Sequence, residues 1–490
     1  MKPRLSVQAL LLATAAAALP LQAAERRAGL EPCQLRGVVH AAWCGSIRRP
    51  LDPAQPGGVQ VDIHYAVLPA LARNRKPDPV MLFAGGPGQS AIELAGPIGQ
   101  VLGRLANRRD IVLVDQRGTG RSAPLHCPAG PPTQPLASAT DPAMQLRRWQ
   151  QCREALARLP HGDLRQYTTT LAMQDADAVR QALGVGQVNL LGASYGTRAV
   201  LEYMRQFPQA VRRAVMDGVA PPDMALHQAF STDNQAALDA LLAACETAPD
   251  CRQRHPRLRA DWLALLTGLP RPATVVHPVT GEVESLTLTR DMVLGLVRQP
   301  LYVPVLASAL PMALAQAARG RWEPLVGLSS AMGGGPAARL AEGMHFSVVC
   351  AEDLPRQTAD APGADFGDGF ARTYREVCAQ WPRGTVPAAF YRVPPAPAAT
   401  LVLSGGADPV TPPRHGQRVQ QALGAKARHV VVAQAGHGVM ALGCMRDVLF
   451  RFVDADTDDE ALKVDADCAR GLPRPAVFVP ISAATSQAGP

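Results

Sequence analysis

The segment Gly-Ala-Ser-Tyr-Gly at residues 192–196 constrains this chain more than any other feature of its sequence. The apolar residues 188–191 before it are typical of a buried strand, and apolar residues at helical spacing follow it until Pro208. A strand, a sharp turn and a helix are the context that a nucleophile elbow requires. Because only glycine fits where strand and helix crowd together, the two glycines allow the strained turn that exposes the hydroxyl of Ser194. The pattern predicts a catalytic serine at this turn.

Short apolar segments recur along the chain and alternate with helical patterns. They lie at residues 59–68, 80–83, 111–114, 188–191, 214–216, 401–403 and 429–432. This alternation predicts an α/β protein with a mostly parallel sheet and helices on both faces. In such sheets the chemistry lies at the carboxyl ends of the strands. Residues 26–55 carry no regular pattern, and we expect them to be irregular.

Between residues 221 and 397 the alternation stops and helical patterns dominate. We expect a large, mainly helical cap domain, inserted over 221–397 and closed by the proline-rich stretch 393–397. Residues 25–220 then form the first part of the core, and residues 398–490 form its second part with a C-terminal extension. A chain of 490 residues is long enough for such a division.

The N-terminal residues 1–24 have the organisation of a secretory signal peptide. Lys2 and Arg4 provide positive charge, the apolar run 9–19 is too short to span a bilayer, and the small residues 23–24 favour cleavage. We therefore expect an exported protein, periplasmic or extracellular, without stable membrane insertion after removal of the signal. The net charge of +8 comes from scattered basic residues, which does not favour a nucleic-acid partner.

The ten cysteines fall into five neighbouring pairs along the chain, and none forms a C-x-x-C motif. Exported proteins commonly use cysteines in structural disulfides, whereas the alternative is a set of buried free thiols. The spacing predicts local pairing, because neighbouring cysteines close small loops. The predicted pairs are Cys33–Cys44, Cys127–Cys152, Cys245–Cys251, Cys350–Cys378 and Cys444–Cys468.

A serine hydroxyl needs a base within hydrogen-bond reach, and that base needs an orienting carboxylate. Asp408 follows the penultimate apolar strand, and His437 lies between two glycines directly after the last one. The chain order serine, acid, histidine is that of the α/β-hydrolases. We predict a catalytic triad of Ser194, Asp408 and His437. Asp217, which also ends a strand, is the alternative acid, and His415 is the nearest alternative histidine.

A tetrahedral intermediate needs backbone N–H groups that stabilise its oxyanion. The amide of Tyr195, directly after the nucleophile, is one expected donor. The other should come from the glycine-rich segment 85–88, where Gly86 is the best candidate because Pro87 has no N–H. The same segment could instead bind phosphate or form a plain turn. No Walker lysine and no dinucleotide-binding glycine pattern accompanies it in the sequence.

Four segments of the sequence indicate a protein family more specifically together than any one of them does alone. They are Gly-Gly-Pro-Gly at 85–88, Asp-Gln-Arg-Gly-Thr-Gly-Arg-Ser at 115–122, the serine segment at 192–196, and the ending with Asp408 and His437. With these segments the chain resembles the prolyl aminopeptidase and secreted tripeptidyl aminopeptidase group of α/β-hydrolases, over residues 60–220 and 395–470. The resemblance implies the α/β-hydrolase fold and cleavage of peptides at a free N-terminus, without a metal or another cofactor. Ala84 stands where the prolyl iminopeptidases carry histidine, which is closer to the secreted branch.

An aminopeptidase must recognise an ammonium group, and a carboxylate in the cleft is the physical means of doing so. The segment Cys-Ala-Glu-Asp at 350–353 resembles one found in the secreted members. Glu352, with Asp353 next, is therefore the candidate substrate-binding residue, with a solvated surface pair as the alternative. We expect the charged residues of 115–122 to form a buried ion network that holds the glycine-rich segment.

The leading hypothesis is a secreted serine exopeptidase that releases residues or short peptides from the free N-terminus of peptides through an acyl-enzyme. A carboxylesterase-type hydrolase would use the same triad, and a catalytically silent binding protein could share the fold. The complete set of serine, acid, histidine and glycine donors argues against the silent protein. Peptidase and esterase differ in the cap, where the sequence is least informative.

Overall fold

The computed structural model describes residues 29–128, 130–331, 339–356 and 361–479. The predicted signal peptide at residues 1–24 lies outside the described residues. In the described ranges, no helix is both long and apolar enough to cross a membrane.

A nine-stranded sheet forms the centre of the described residues. The strands of the chain are β1 (Glu31–Cys33), β2 (Ala42–Pro50), β3 (Gln60–Leu68), β4 (Val80–Phe83), β5 (Ile111–Val114), β6 (Val188–Ala193), β7 (Val211–Asp217), β8 (Arg271–Val276), β9 (Val283–Leu288), β10 (Thr400–Gly405) and β11 (Ala427–Val432). The order across the large sheet is β1-β2-β3-β5-β4-β6-β7-β10-β11. The pairs from β5 to β11 are parallel, while β1, β2 and β3 add an antiparallel edge. The expected mostly parallel α/β sheet is therefore confirmed.

Residues 26–55 were expected to be irregular, and this expectation is wrong for residues 31–33 and 42–50. Strands β1 and β2 lie there and continue the sheet beyond β3. Their alternation is hidden because β2 carries Cys44, Gly45 and Ser46 before its basic end, and it has few large apolar residues. Pairing with the regular strand β3 gives β2 its extended conformation.

The helices of the chain cover both faces of the sheet or belong to the insertion between β7 and β10. They are α1 (Ala95–Val101), α2 (Gly103–Ala106), α3 (Leu136–Ala139), α4 (Pro142–Leu156), α5 (Thr169–Ala182), α6 (Tyr195–Gln206), α7 (Leu226–Thr247), α8 (Pro249–Arg254), α9 (Leu258–Thr267), α10 (Arg290–Leu301), α11 (Pro304–Ala307), α12 (Leu310–Ala317), α13 (Glu323–Ser330), α14 (Glu342–Glu352), α15 (Gly369–Gln380), α16 (Pro413–Leu423), α17 (Met445–Asp454) and α18 (Asp458–Leu462). Side chains of β4 alternate between two apolar cores, with Met81 and Phe83 in one and Val80 and Leu82 in the other. This period of two is what a strand buried on both faces requires.

The chain between β7 and β10 is mainly helical, as the sequence predicts, and it contains helices α7 to α15. It also contains a two-stranded antiparallel sheet, β8 with β9, that the helical patterns did not indicate. A separate apolar core lies in this part of the chain and includes Trp262, Leu310 and Trp322. The insertion therefore has an interior of its own, while its limits at 221 and 397 stay a prediction.

All five predicted disulfides are confirmed, and they include all ten cysteines. Cys350–Cys378 joins α14 to α15. Each bridge closes a short loop, of 28 residues or fewer in sequence separation, so each connects elements that are already neighbours.

The charged residues of 115–122 form two separate contacts, which corrects the expectation of one ion network. Asp115 accepts hydrogen bonds from the Ser90 hydroxyl at 2.6 Å and from the Ile92 amide at 3.1 Å. It thereby fixes the chain that leaves the glycine-rich segment. Arg117 instead forms a bidentate pair with Asp175 of α5, at 2.7 and 3.0 Å. Both partners of this pair are 1% exposed, so its loss would leave a charge in the interior.

We expect Asp175→Asn to destabilise the protein by about 3–5 kcal/mol, because the buried guanidinium of Arg117 would lose its counter-charge. Urea unfolding of the purified protein measures this change. Asp467→Asn is the matched control, since its pair with Arg470 is 72–80% exposed and should contribute about 0–1 kcal/mol. Equal unfolding midpoints for the two variants would contradict a structural role for the buried pair.

Candidate active site

Ser194 lies in a turn that only a strained backbone can make. Its φ of 56° and ψ of −125° lie in a region that side chains other than glycine rarely adopt. Backbone atoms approach the two glycines of the turn closely. A methyl group at Gly192 would lie 2.3 Å from the carbonyl oxygen of Gly196. One at Gly196 would lie 2.1 Å from the carbonyl oxygen of Phe83. The hydroxyl thus stands between the end of β6 and the start of α6, as the sequence predicts.

An acid and a histidine are joined beside this serine. His437 Nδ1 lies 2.8 Å from Asp408 Oδ2. The other oxygen of Asp408 accepts the backbone N–H groups of Val410 and Thr411, each at 2.9 Å. These bonds fix the orientation of the carboxylate. The backbone N–H of His437 donates a hydrogen bond to the carbonyl of Tyr302 at 2.9 Å, which fixes the position of the histidine. Ser194 and His437 line the same cavity.

The pair of Asp408 and His437 shifts the pKa of each member in the direction that general-base catalysis needs. Burial alone would raise the pKa of Asp408, but the neighbouring His437 and the backbone donors outweigh burial and lower it. Burial alone would lower the pKa of His437, but the charge and hydrogen bond of Asp408 outweigh it and raise the pKa above the ordinary 6.5. A carboxylate that stays ionised beside an imidazole of increased basicity can orient that ring toward a serine proton.

Asp217 and His415, the alternatives to Asp408 and His437, bond to other partners. Asp217 accepts the backbone N–H groups of Val439 and Met440 at 2.8–2.9 Å and so supports the loop that carries the histidine. Burial raises its pKa to about 6. His415 bonds through Nε2 to Asp233 of α7 at 2.9 Å. The geometry therefore favours Asp408 over Asp217, and His437 over His415, as partners of the serine.

The glycine-rich segment borders the serine. A methyl group at Gly85 would lie 3.2 Å from Ser194 Cβ, and Gly86, with φ of +109°, lines the cavity beside Tyr195. Tyr195 is the first residue of α6, so its N–H has no partner within the helix. Both predicted oxyanion donors thus border the space where a substrate carbonyl would lie.

Glu352 and Asp353 do not lie in the cavity, which corrects the prediction that they bind the substrate. Both are 0% exposed. Glu352 accepts the Thr169 amide at 2.6 Å, and Asp353 pairs with Arg198 of α6 at 2.7 Å. Burial raises the pKa of both carboxylic acids. They lie beneath the elbow, where the Thr169 hydroxyl connects Glu352, at 2.9 Å, to the Tyr195 hydroxyl, at 2.7 Å.

The cavity over Ser194 has a volume of about 880 Å³, and both the core and the inserted helices line it. Seven of its 29 lining residues are aromatic, although aromatic residues make up 4% of the sequence. These residues are Trp149, Tyr195, Phe230, Tyr302, Phe346, Phe370 and Tyr374. The sequence did not predict this aromatic wall, because its seven residues lie on several helices. Their one signal in the sequence is that aromatic residues are rare in the rest of the chain.

Two charged side chains of the cavity were also missed. Glu342, the first residue of α14, forms a bidentate pair with Arg148 at 2.7 and 3.1 Å, and this pair is about 30% exposed. Arg298 of α10 lies over the ring of Phe370, at 5.3 Å from its centroid. Within the described ranges, no group of three ligand-type side chains is arranged to hold a metal ion.

Comparisons with known proteins agree with this geometry. The family model of the α/β hydrolase fold matches residues 78–268, and that of TAP-like proteins matches residues 363–463. A tripeptidyl aminopeptidase of Streptomyces lividans is 29% identical over 49% of this chain and 47% of its own length. Serine protease Hip1 of Mycobacterium tuberculosis is 30% identical over 37% of this chain and 36% of its own. Carboxylesterase B of the same species is 28% identical over 79% of each.

The chain has the α/β-hydrolase fold, and models of the α/β hydrolase fold and of TAP-like proteins match separate parts of it. Among serine hydrolases it is similar to the tripeptidyl aminopeptidases. The match spans about half the length of those tripeptidyl aminopeptidases.

The raised pKa of His437 predicts the pH dependence of activity. The base must be neutral to accept the serine proton, so kcat/KM should rise with pH through an apparent pKa above 6.5. Asp408→Asn removes the charge that raises this pKa. We expect the apparent pKa of the variant to fall and its kcat/KM to drop by roughly 10³- to 10⁴-fold.

The pH dependence of ester hydrolysis measures both effects, and circular dichroism over the same range verifies that the variant stays folded. An unchanged profile in Asp408→Asn would assign the observed titration to another group.

Proposed function

We propose that the chain is an exported serine exopeptidase in which Ser194, His437 and Asp408 form the catalytic triad. His437 takes the proton of the Ser194 hydroxyl as the oxygen attacks a substrate carbonyl, and then gives it to the leaving amine. The acyl-enzyme that results is hydrolysed by water activated in the same way. The observation that carries this proposal is the bond of Asp408 to His437 in a cavity that also exposes Ser194.

Gly86 and Tyr195 are the proposed oxyanion donors. The negative charge that develops on the substrate oxygen would face two backbone N–H groups on rigid elements, the end of β4 and the start of α6. Asp115 supports this arrangement because it bonds to Ser90 and Ile92 just after the glycine-rich segment. Loss of one oxyanion donor typically costs about 2.7–4 kcal/mol of transition-state stabilisation.

Glu342 replaces Glu352 and Asp353 as the residue that we propose for binding the substrate ammonium. Of the acids that line the cavity, Asp217 is occupied by backbone amides, whereas Glu342 is partly exposed. Arg148 bonds once to each of its oxygens, and a carboxylate has about four lone-pair sites, so it can accept further donors. A cation among aromatic rings is also favoured electrostatically.

Export is proposed from two independent features. Residues 1–24 have the pattern of a signal peptide, and five disulfides are typical of proteins that fold in an oxidising compartment. The substrates would then be peptides present in the periplasm or the medium.

A carboxylesterase is the second candidate, and the similarity to carboxylesterase B over 79% of the chain favours it. Both activities need the same triad and the same oxyanion donors. They differ in the recognition of a charged N-terminus, so matched substrates with free and blocked amines distinguish them.

Ser194→Ala should lower turnover by at least roughly 10³-fold and abolish labelling by a fluorophosphonate, because it removes the nucleophile. The substrates are aminoacyl and tripeptidyl chromogenic amides, each with a free and with an acetylated N-terminus, together with short-chain esters. Ser329→Ala is the matched control, since Ser329 lines the same cavity. Labelling that persists in Ser194→Ala would move the nucleophile elsewhere, and equal cleavage of free and acetylated peptides would refute the aminopeptidase.

Glu342→Gln should lower kcat/KM for free-amine peptides by about 10- to 100-fold, the effect of one charge-assisted hydrogen bond. Acetylated peptides and esters should be affected little, because they carry no ammonium group. Arg148→Gln is the control: it breaks the same ion pair but leaves the carboxylate, so it should retain activity on free-amine substrates. Equal losses in both variants would mean that the ion pair, rather than the carboxylate, is required.

A further inference from the structure

The cavity contains one positive charge without an acidic partner. Arg298 lies on α10 and lines the cavity. Its aromatic neighbour Phe370 lies under the guanidinium plane, and the acid of the same helix, Asp291, pairs with Arg372 instead. Among the described residues, none of the ion pairs includes Arg298. One of its N–H groups bonds to the Tyr302 hydroxyl, and the remaining donors stay available for an anion inside the cavity.

Arg298 lies on the histidine side of the site. Tyr302 is four residues further along the chain, on the same side of the helical turn, and its ring packs edge-on against the His437 imidazole with 5.4 Å between centroids. Burial raises the pKa of the Tyr302 hydroxyl, and the positive charge and hydrogen bond of Arg298 oppose that rise. One tyrosine thus connects the cation of Arg298 to the proposed catalytic base, His437.

The histidine side is where the leaving group must be. The imidazole that removes the serine proton donates it to the departing amine, so this amine lies against His437. The segment of the substrate that follows the scissile bond therefore extends toward the region of Tyr302 and Arg298. A guanidinium binds a carboxylate more strongly and with better geometry than it binds a neutral amide.

We propose that Arg298 forms a subsite for the carboxylate of the leaving group, so that the preferred substrates are short peptides with a free C-terminus close to the scissile bond. This inference rests on the proposed serine peptidase activity and deepens it. It gives the cavity two charged ends: Glu342 near the glycine-rich segment for the ammonium, and Arg298 near His437 for the carboxylate. Tyr374 lines the same cavity as both charged residues.

The aromatic residues around Arg298 strengthen the proposed selection of a carboxylate. Phe370, which lies under the guanidinium, packs against Tyr374 at 4.8 Å and against Phe230 at 5.4 Å, so an aromatic cluster covers one face of the guanidinium. A charge-assisted hydrogen bond is stronger in such surroundings than in bulk solvent. Peptides with an internal scissile bond far from either end would place neutral backbone at both charged positions.

The test compares peptides that differ only in their C-terminus. Tetrapeptides with a free N-terminus are prepared as the C-terminal acid and as the C-terminal amide, and kcat/KM is measured for each. We expect the unmodified enzyme to favour the acid by about 10- to 100-fold, as one charge-assisted contact implies. Arg298→Gln should lower kcat/KM for the C-terminal acid to the value for the C-terminal amide, and kcat/KM for the amide should not change. Arg298→Lys should retain part of the preference for the acid.

Arg290→Gln is the matched control, because Arg290 lies on the same helix but bonds to the Asp365 carbonyl at 3.0 Å, away from the cavity. It should keep the full preference for acids. Equal rates on acid and amide in the unmodified enzyme would overturn the subsite while leaving the peptidase intact. So would an Arg298→Gln variant that loses both substrates alike, since this would indicate a structural role.

Failure of the proposed peptidase would be recognised separately, as hydrolysis of esters without hydrolysis of any peptide. In that case acyl esters of 4-hydroxybenzoate and 4-hydroxybenzamide decide the subsite, because they differ in the same way in their leaving groups. A preference for the benzoate that disappears in Arg298→Gln supports the carboxylate subsite, and equal rates overturn it.

Discussion

The close crossing of β6 and α6 is the constraint on which the rest of the site depends. Gly196 faces the carbonyl of Phe83 at a distance that excludes any side chain, so α6 lies directly against the end of β4. That contact brings the glycine-rich segment, which follows β4, next to the serine of the β6 turn. The start of α6 then carries one proposed oxyanion donor, and the segment after β4 carries the other. A single steric condition therefore positions both the proposed nucleophile and the groups proposed to stabilise charge on its substrate.

The features that the sequence predicted well depend on local patterns. The elbow, the buried strands and the acid and histidine at strand ends all follow from short-range periodicity and from the rule that parallel strands place their carboxyl ends together. The disulfide pairs were also predictable, because each connects near neighbours in the chain. The strands at residues 31–33 and 42–50 were missed because polar and small residues hide their alternation, and pairing with β3 determines their conformation. The hairpin of β8 and β9 was missed for a similar reason.

The substrate side of the site could not be predicted in this way. Glu352 and Asp353 are adjacent acids in a motif that resembles one of the secreted aminopeptidases. In the interior they form ion pairs with Arg198, which is far away in sequence, and no local pattern reveals this partner. Conversely, Glu342 and Arg298 are ordinary charged residues in sequence. They acquire their proposed roles because α10, α14 and α15 converge over the serine. In this proposal, recognition of the substrate is a property of tertiary packing, whereas the catalytic groups are encoded in local turns.

The bridge between Cys350 and Cys378 has a further consequence. It fastens α14, which carries Glu342 and Phe346, to α15, which carries Phe370 and Tyr374. One covalent link therefore joins the two helices that carry three of the seven aromatic residues of the cavity, and neither cysteine lines the cavity. In the proposed peptidase, reduction of this bridge would act on the helices that carry Glu342 and Tyr374, so the redox state of the surroundings would be coupled to substrate choice rather than to bond cleavage.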